Sequence, residues 1–486
     1  MHEWIRILEA VQNQRNRLRT STAEDLARDL GMPLRQAEDA VSSLLQRGLL
    51  ISRPIAVGTR SIPTLLVTER GITYLETFSV SSGPTSRLSR DTKDRTPVAV
   101  SLIFIRGNAQ ITVRWEADVL GVRTSHLVLP FSREDTHLVT RVLDVLQYPN
   151  YPRSETSEQN RWFQFTAAEQ VRLTALGLWS DHRLRVDAPR QIGRLLFRSL
   201  IQDTNASQAF GTACDHASAT GQPLAFHLHF SPDVMHVAAL PWELTWDHGP
   251  LPVLLSGDPS ASCSFVRHLD LAQAIPRPAL SGEPLRILAI TPSAGVPARF
   301  RDAEREARHT SFKPLLASGK ATLNELSPAT PEGIIDAVHA SPRPDVIHYY
   351  GHGRYQNGQG ALLLDAPNGG QTWATVETVA ALFGTVQLAV LHACQGAMVG
   401  ENEDSLITSL TPALSAAGIP AVVGMQLAIS AQTACRAASV IYRQLAAGAS
   451  IYTALNITRR ALFVENAYRA WYVPVLYVRS RRTDGE

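Results

Sequence analysis

Residues 281–486 predict an α/β fold with a mostly parallel central sheet, and three observations lead there. Short apolar runs with little polar alternation recur as "LRILAIT", "ATLNEL", "DVIHYY", "VQLAVLHA" and "PAVVGMQ", the pattern of strands covered on both faces. Amphipathic stretches separate most of them, among them "FRDAEREARHTSFKPLL", "PEGIIDAVHA" and "DSLITSLTPALSAAG", which supplies the helices that parallel crossovers need. Two of the runs end in short glycine-bearing segments, "GHG" and "ACQG", at the strand ends where sheets of this kind collect reactive groups.

The rest of the chain is organised differently. At 486 residues the protein is too long for one core, so more than one folded unit is expected. Residues 1–77 read as three helices and a hairpin. Ser21 or Thr22 caps "AEDLARDLG", Pro33 opens the next helix, Gly48 ends it, and Gly58 lies at the hairpin tip. This order resembles a winged helix-turn-helix, which would put DNA binding on the helix around Arg35. The charge balance favours a protein-docking role instead: residues 1–77 hold ten arginines and no lysine against nine acidic residues, with Glu38 and Asp39 on the helix that would read DNA. Residues 78–97 are rich in Ser, Pro, Gly and charge without apolar periodicity, as in a linker. Residues 98–280 mix β-type runs such as "VAVSLIFI" and "PLAFHLHF" with a helical stretch, an α+β region, and contain "ALPWELTWD", whose tryptophans suit a packed strand end.

Composition narrows the function classes. A net charge of +2 leaves no global signature for nucleic acid or an anionic membrane. No apolar run reaches the length of a membrane span and no signal-peptide pattern opens the chain, so a cytoplasmic protein is expected. Cys214, Cys263, Cys394 and Cys435 are widely spaced without a CxxC pair, which suggests free thiols rather than a zinc site or disulfides. His227 and His229 would share a strand face while His236 sits apart, so no metal or other cofactor is expected. That leaves His352 and Cys394. His352 sits between two glycines just past "DVIHYY", and Cys394 ends "VQLAVLHA". A thiol near its free pKa is only a few per cent ionised at neutral pH, so a nucleophilic cysteine needs a histidine within reach. His348, inside its strand, is expected to pack in the core with one hydrogen-bond partner.

Several segments taken together resemble the CHAT family of caspase-like cysteine peptidases, relatives of caspases and separases. The matching text is "DVIHYYGHGR", "LLLD", "VQLAVLHACQGA", "GIPAVVGMQLAIS", "VIYRQLAAGASIYTALNITRRAL" and "WYVPVLYVRS", in that order, with "LPWELTWD" and "SFVRHL" before them. The resemblance implies a caspase-like α/β sandwich and a Cys-His dyad of Cys394 and His352. The thiolate would attack a peptide carbonyl of a protein substrate, with the oxyanion held by the backbone N–H groups of Gly353 and Cys394. No acidic third member is nominated.

Specificity is less sharply written. Glu401, Glu403 and Asp404 follow the cysteine and would favour Arg or Lys at P1 if they line the pocket; the run reads more readily as a solvated loop with Asp404 capping the next helix. His392 stands where arginine-specific relatives often carry Asp, which argues against a basic P1, and Gln426 is a candidate pocket-edge residue. The expectation is therefore a cytoplasmic cysteine endopeptidase, regulated by a protein partner through residues 1–77 in a bacterial signalling, defence or cell-death pathway. The alternative is a DNA-binding or scaffold regulator with an inactive CHAT-like part.

Overall fold

The computed structural model describes residues 7, 10–11, 22–46, 50–57, 60–67, 97–107, 110–147, 164–247, 249, 251–255, 263–271, 284–293, 298–356, 359–384, 386–394, 410–427, 429–465 and 469–481. The chain divides into two compact units, Met1–Lys93 and Asp94–Glu486.

In the first unit, helices α1 (Ala23–Leu30) and α2 (Leu34–Gln46) precede an antiparallel pair, β1 (Leu50–Val57) and β2 (Arg60–Val67), with Leu50 opposite Val67. Thr22 and Asp25 cap α1 reciprocally, and Gly31 ends it in the left-handed conformation. Ile7, Val11, Leu26, Val41, Leu44, Leu50 and Leu65 form its core. The exposed side of α2 carries Arg35 together with Glu38 and Asp39, a mixed surface. Gly48, Gly58 and nearly all of the expected linker lie outside the described residues.

The second unit opens with the antiparallel strands β3 (Val98–Arg106), β4 (Ile111–Ala117) and β5 (Gly121–Leu127), then helices α3 (Arg133–Val145) and α4 (Ala167–Ala175). A two-residue pair, β6 (Trp179–Ser180) and β7 (Arg183–Leu184), leads into α5 (Ala188–Ile201), α6 (Thr204–Thr220), β8 (Leu224–Phe230) and β9 (Cys263–Leu271). The carboxyl-terminal part runs β10 (Leu285–Ile290), α7 (Ala298–Ala317), β11 (Ala321–Leu326), α8 (Pro331–His339), β12 (Val346–Gln356), β13 (Gln359–Asp365), β14 (Gln371–Thr375), α9 (Val376–Phe383), β15 (Leu388–Cys394), α10 (Leu410–Ala416), β16 (Ala421–Met425), α11 (Ala431–Leu445), α12 (Ile451–Glu465) and β17 (Pro474–Arg481).

These strands join the α+β region and the carboxyl-terminal part into one sheet, ordered β11-β10-β12-β15-β16-β17-β9-β8-β3-β4-β5. Strands β11, β10, β12, β15 and β16 are mutually parallel, as are β17, β9, β8 and β3, and the two blocks meet antiparallel at β16 and β17. The fold is thus α/β with a mostly parallel central sheet. One face of the first block packs Ile347, Tyr349, Leu391 and Val422 against α8, α9 and α10. Its other face packs Val346, Val390 and Val423 against α7, α11 and α12. Burial on both faces is the physical reason these strands read as continuous apolar text.

The "PWEL" text forms a single 3-10 turn, Trp242–Leu244, pressed onto α5. Trp246 N–H donates to the carbonyl of Gly193 at 3.0 Å, and a Cβ on Gly193 would stand 2.0 Å from the Leu244 carbonyl oxygen. Backbone meets backbone there, so no rotamer change makes room. Gly193→Ala is expected to destabilise the protein by about 1–3 kcal/mol despite alanine's better helix propensity, measured by denaturant unfolding. An equal or higher stability would refute this close approach.

Candidate functional site

The expectation that His352 follows the end of its strand needs correction. Strand β12 does not stop at Tyr350 but continues through the two glycines to Gln356. It pairs with β10 only over Val346–Tyr349, then takes up β13 antiparallel from Gly353, which faces Leu362. The signal for this was local and was not used: Gln356 pairs with Gln359, and the Asn357-Gly358 text between them is a favoured two-residue hairpin sequence. On its other edge β12 pairs with β15 from Val346 to His352, and the last pair of that ladder is His352 opposite Cys394. Paired residues of neighbouring strands stand within about 5 Å. The two residues singled out by chemistry therefore sit side by side at the end of the β12–β15 ladder, where β15 itself ends.

The remaining candidates are distributed unevenly. The side chain of His352 is exposed and Gly353 is buried. Glu401, Glu403 and Asp404 lie outside the described residues. His392, one pleat below position 394, is only 4% exposed, and neither ring nitrogen has a hydrogen-bond partner among the described residues. Gln426 is engaged on every side. Its amide nitrogen donates to Glu243 at 3.3 Å and to the Tyr472 carbonyl, and its amide oxygen accepts from Arg267 at 3.4 Å. It is half-buried and is held in the network of Glu243 and Arg267.

Beneath the strand ends runs a polar layer of which the sequence reading anticipated only His348, packed in the core with one hydrogen-bond partner. His348 is fully buried, with its Nδ1 2.8 Å from the Tyr442 hydroxyl, and its ring meets that of His392 edge-on at 4.6 Å. Below them Arg308 on α7 is held by Glu304 at 2.8 Å, Glu325 at 3.1 Å and Thr291 at 3.2 Å. Burial, and after it the Arg308 charge, pushes His392 down to about 3. Burial also drives His348 well below the usual histidine range, with His392 and Arg308 adding to it. Both rings are therefore neutral at physiological pH. The signal that could have found this layer was the spacing of His348 and His392, each four or two residues before a candidate on its own strand.

That electrostatic state has a measurable consequence. In the unfolded chain these histidines bind protons near pH 6.5, whereas in the folded chain His392 does not until about 3. The unfolded state then holds more protons throughout that window, so stability is complete above it and is lost as pH falls. At about pH 4.5 His392 alone is expected to cost roughly 2–3 kcal/mol. Denaturant unfolding of wild type and His392→Leu at neutral and acid pH checks this; an identical pH dependence in both proteins would refute it.

A second histidine group lies on β8 and β9. His227 Nδ1 is 2.6 Å from His268 Nε2, and His229 stacks on His268 at 4.5 Å. His268 was not singled out from the sequence, because only the register of two strands brings it beside the other pair. Among the described residues no group of three His, Cys, Asp or Glu is arranged to hold a metal ion.

A mostly parallel central sheet defines the fold as α/β, and a sequence match places the chain in a family. Residues 190–475 match the CHAT domain, more than half of the chain, and the protein belongs to the CHAT domain family. Comparison with curated proteins gives no match. Among solved structures the chain is similar to the separase of the Saccharomyces cerevisiae separase–securin complex, at 11% identity and a TM-score of 0.40, covering 79% of this chain and 30% of that one. It is also similar to the Arg-specific cysteine proteinase gingipain R, at 10% identity and a TM-score of 0.31, covering 62% and 68%. The pro- and mature domains of RgpB from Porphyromonas gingivalis give 10% identity and 0.31, covering 71% and 76%. The chain thus spans about a third of the length of the separase it matches. Among the described residues no helix is long and apolar enough to cross a membrane.

Proposed function

We propose that this protein is a cysteine endopeptidase in which Cys394 is the nucleophile and His352 its acid-base partner. The observation that carries the reading is the register of β12 and β15, which pairs these two residues at the end of their ladder. Membership of the CHAT domain family supports it.

The chemistry follows from the residue types. Proton transfer from the Cys394 thiol to the His352 imidazole gives a thiolate–imidazolium pair, and the thiolate attacks the peptide carbonyl. The backbone N–H groups of Gly353 and Cys394 are the proposed donors to the resulting oxyanion. Imidazolium then protonates the leaving amine, and water, deprotonated by the same imidazole, releases the acyl group and restores the thiol. His392 lies directly below position 394 as a neutral, buried ring, so it offers no negative charge to bind Arg or Lys at P1. The first unit is proposed to dock a regulatory protein. The mixed charge of the exposed side of α2 favours that over DNA. A bacterial signalling, defence or cell-death setting and a cytoplasmic location fit this organisation.

The test is labelling with acyloxymethyl-ketone probes carrying Arg, Asp or an uncharged residue at P1, read by intact mass. One adduct on wild type that is absent from Cys394→Ala supports the reading. An adduct on a different cysteine, or equal labelling of the variant, overturns it.

A further inference from the structure

Tyr349 stands on the opposite face of β12 from His352, with its ring fully buried. Its hydroxyl lies 3.0 Å from the His352 carbonyl oxygen and 2.8 Å from that of Leu363. Both contacts fall where β12 parts from β10, whose last pair is Ile290 with Tyr349, and takes up β13, whose first pair is Gly353 with Leu362. At such a fork the ladder changes partners, and the phenol spans it by reaching one carbonyl on each strand. Burial holds the phenol's pKa well above its ordinary value, so the hydroxyl stays a donor.

The residue between the two confirms how closely the chain lies on this ring. A Cβ on Gly351 would be 2.4 Å from the Tyr349 hydroxyl oxygen and 2.8 Å from the ring carbon that bears it. The ring belongs to the same buried core cluster as Ile290, Ile347, Leu362 and Leu364. Glycine is required here by close approach rather than by an unusual backbone angle.

We infer that Tyr349 is a positioning residue for the proposed dyad: its hydroxyl, seated under Gly351, fixes the main chain of His352 and thereby the direction of the imidazole toward position 394. The inference rests on the dyad reading for its catalytic meaning, while the clamp itself is a property of the fork. The sheet would otherwise leave His352 at the point where one ladder has ended and the next has just begun, with only the β15 side paired. A histidine that must hand a proton to and from one sulfur needs its main chain fixed, because a misplacement of about 1 Å can cost about a hundredfold in rate.

The experiment compares the full-length wild type with Tyr349→Phe, which keeps the ring and removes only the hydroxyl. The His352 ring resonance is assigned by its absence from His352→Ala, and hydrogen exchange is followed at the amides of residues 352 and 353. In Tyr349→Phe the His352 signal is expected to shift, exchange at these amides to quicken by about tenfold, and probe inactivation of Cys394 to slow by up to about a hundredfold with little change in the probe's initial binding. Gly351→Ala attacks the same contact from the other side and should move the same resonance. If Tyr349→Phe lowers the unfolding midpoint while the ring signal and amide exchange stay as in wild type, the clamp is refuted and the tyrosine only fills the core. If wild type takes no probe at Cys394, the dyad reading fails, whereas resonance and exchange still decide the clamp.

Discussion

Cys394→Ala is expected to abolish covalent probe capture and peptide cleavage, and His352→Ala to lower kcat/KM by roughly a thousandfold, about 4 kcal/mol of transition-state stabilisation. The two losses differ in kind. Without the sulfur no acyl-enzyme forms, whereas without the imidazole a small thiolate population remains. In His352→Ala, alkylation of Cys394 should therefore recover as pH rises toward the free thiol range near 8.5. The double variant should be no worse than Cys394→Ala alone, since both residues serve one step. Single-turnover kinetics with a peptide substrate, together with pH-dependent alkylation, measures all of this. A His352→Ala enzyme with wild-type kcat/KM would remove the histidine from the mechanism, whatever the register of its strand.

The largest effect on stability is expected at the buried pair of Glu243 and Arg267. Glu243 is wholly buried and Arg267 is 3% exposed. The guanidinium grips the carboxylate with two nitrogens, one at 3.0 Å, and also donates to the Ala238 carbonyl at 2.7 Å and the Leu240 carbonyl at 3.3 Å. Gln426 bridges both partners, and Arg459 stands 3.8 Å from the same carboxylate. The group ties the "PWEL" turn to β9 and to the end of β16, the region where the two parallel blocks meet. Arg267→Ala would strand a carboxylate away from water, at an expected cost of about 3–5 kcal/mol. That is a large part of the 5–15 kcal/mol by which domains are ordinarily stable. Converting the pair together, as Glu243→Leu with Arg267→Met, should recover only part of the loss, because the buried Arg459 then loses the carboxylate beside it. Denaturant unfolding of Arg267→Ala and of the double variant decides the matter. If Arg267→Ala costs less than about 1 kcal/mol, this network is not what fastens the turn to the sheet.

How much of this was legible in the sequence depends on the range of the interaction. The strands "LRILAIT", "VQLAVLHA" and "PAVVGMQ" and the helices between them were legible because burial on both faces leaves no polar alternation, and that mark is written locally. His352 and Cys394 were legible as candidates because glycines and strand ends flank them. The extension of β12 past Gly351 was missed because the glycines there read as a break, although Asn357-Gly358 between the paired Gln356 and Gln359 is local hairpin text. Gln426 was read as a pocket edge from its place at the end of an apolar run. Its hydrogen-bond partners, Glu243, Arg267 and Tyr472, are remote along the chain and could not be read there.

The sequence by itself determined the α/β class, the order of most core strands and helices, and the two residue types able to act together on a carbonyl. Only the tertiary structure decided that the α+β region continues the same sheet, that the two parallel blocks meet antiparallel, and that residue 352 faces residue 394. The reason is physical. Periodicity and residue chemistry are properties of a short stretch of chain, whereas register and the company kept by a buried polar group arise only when distant strands pair and must satisfy one another's hydrogen bonds.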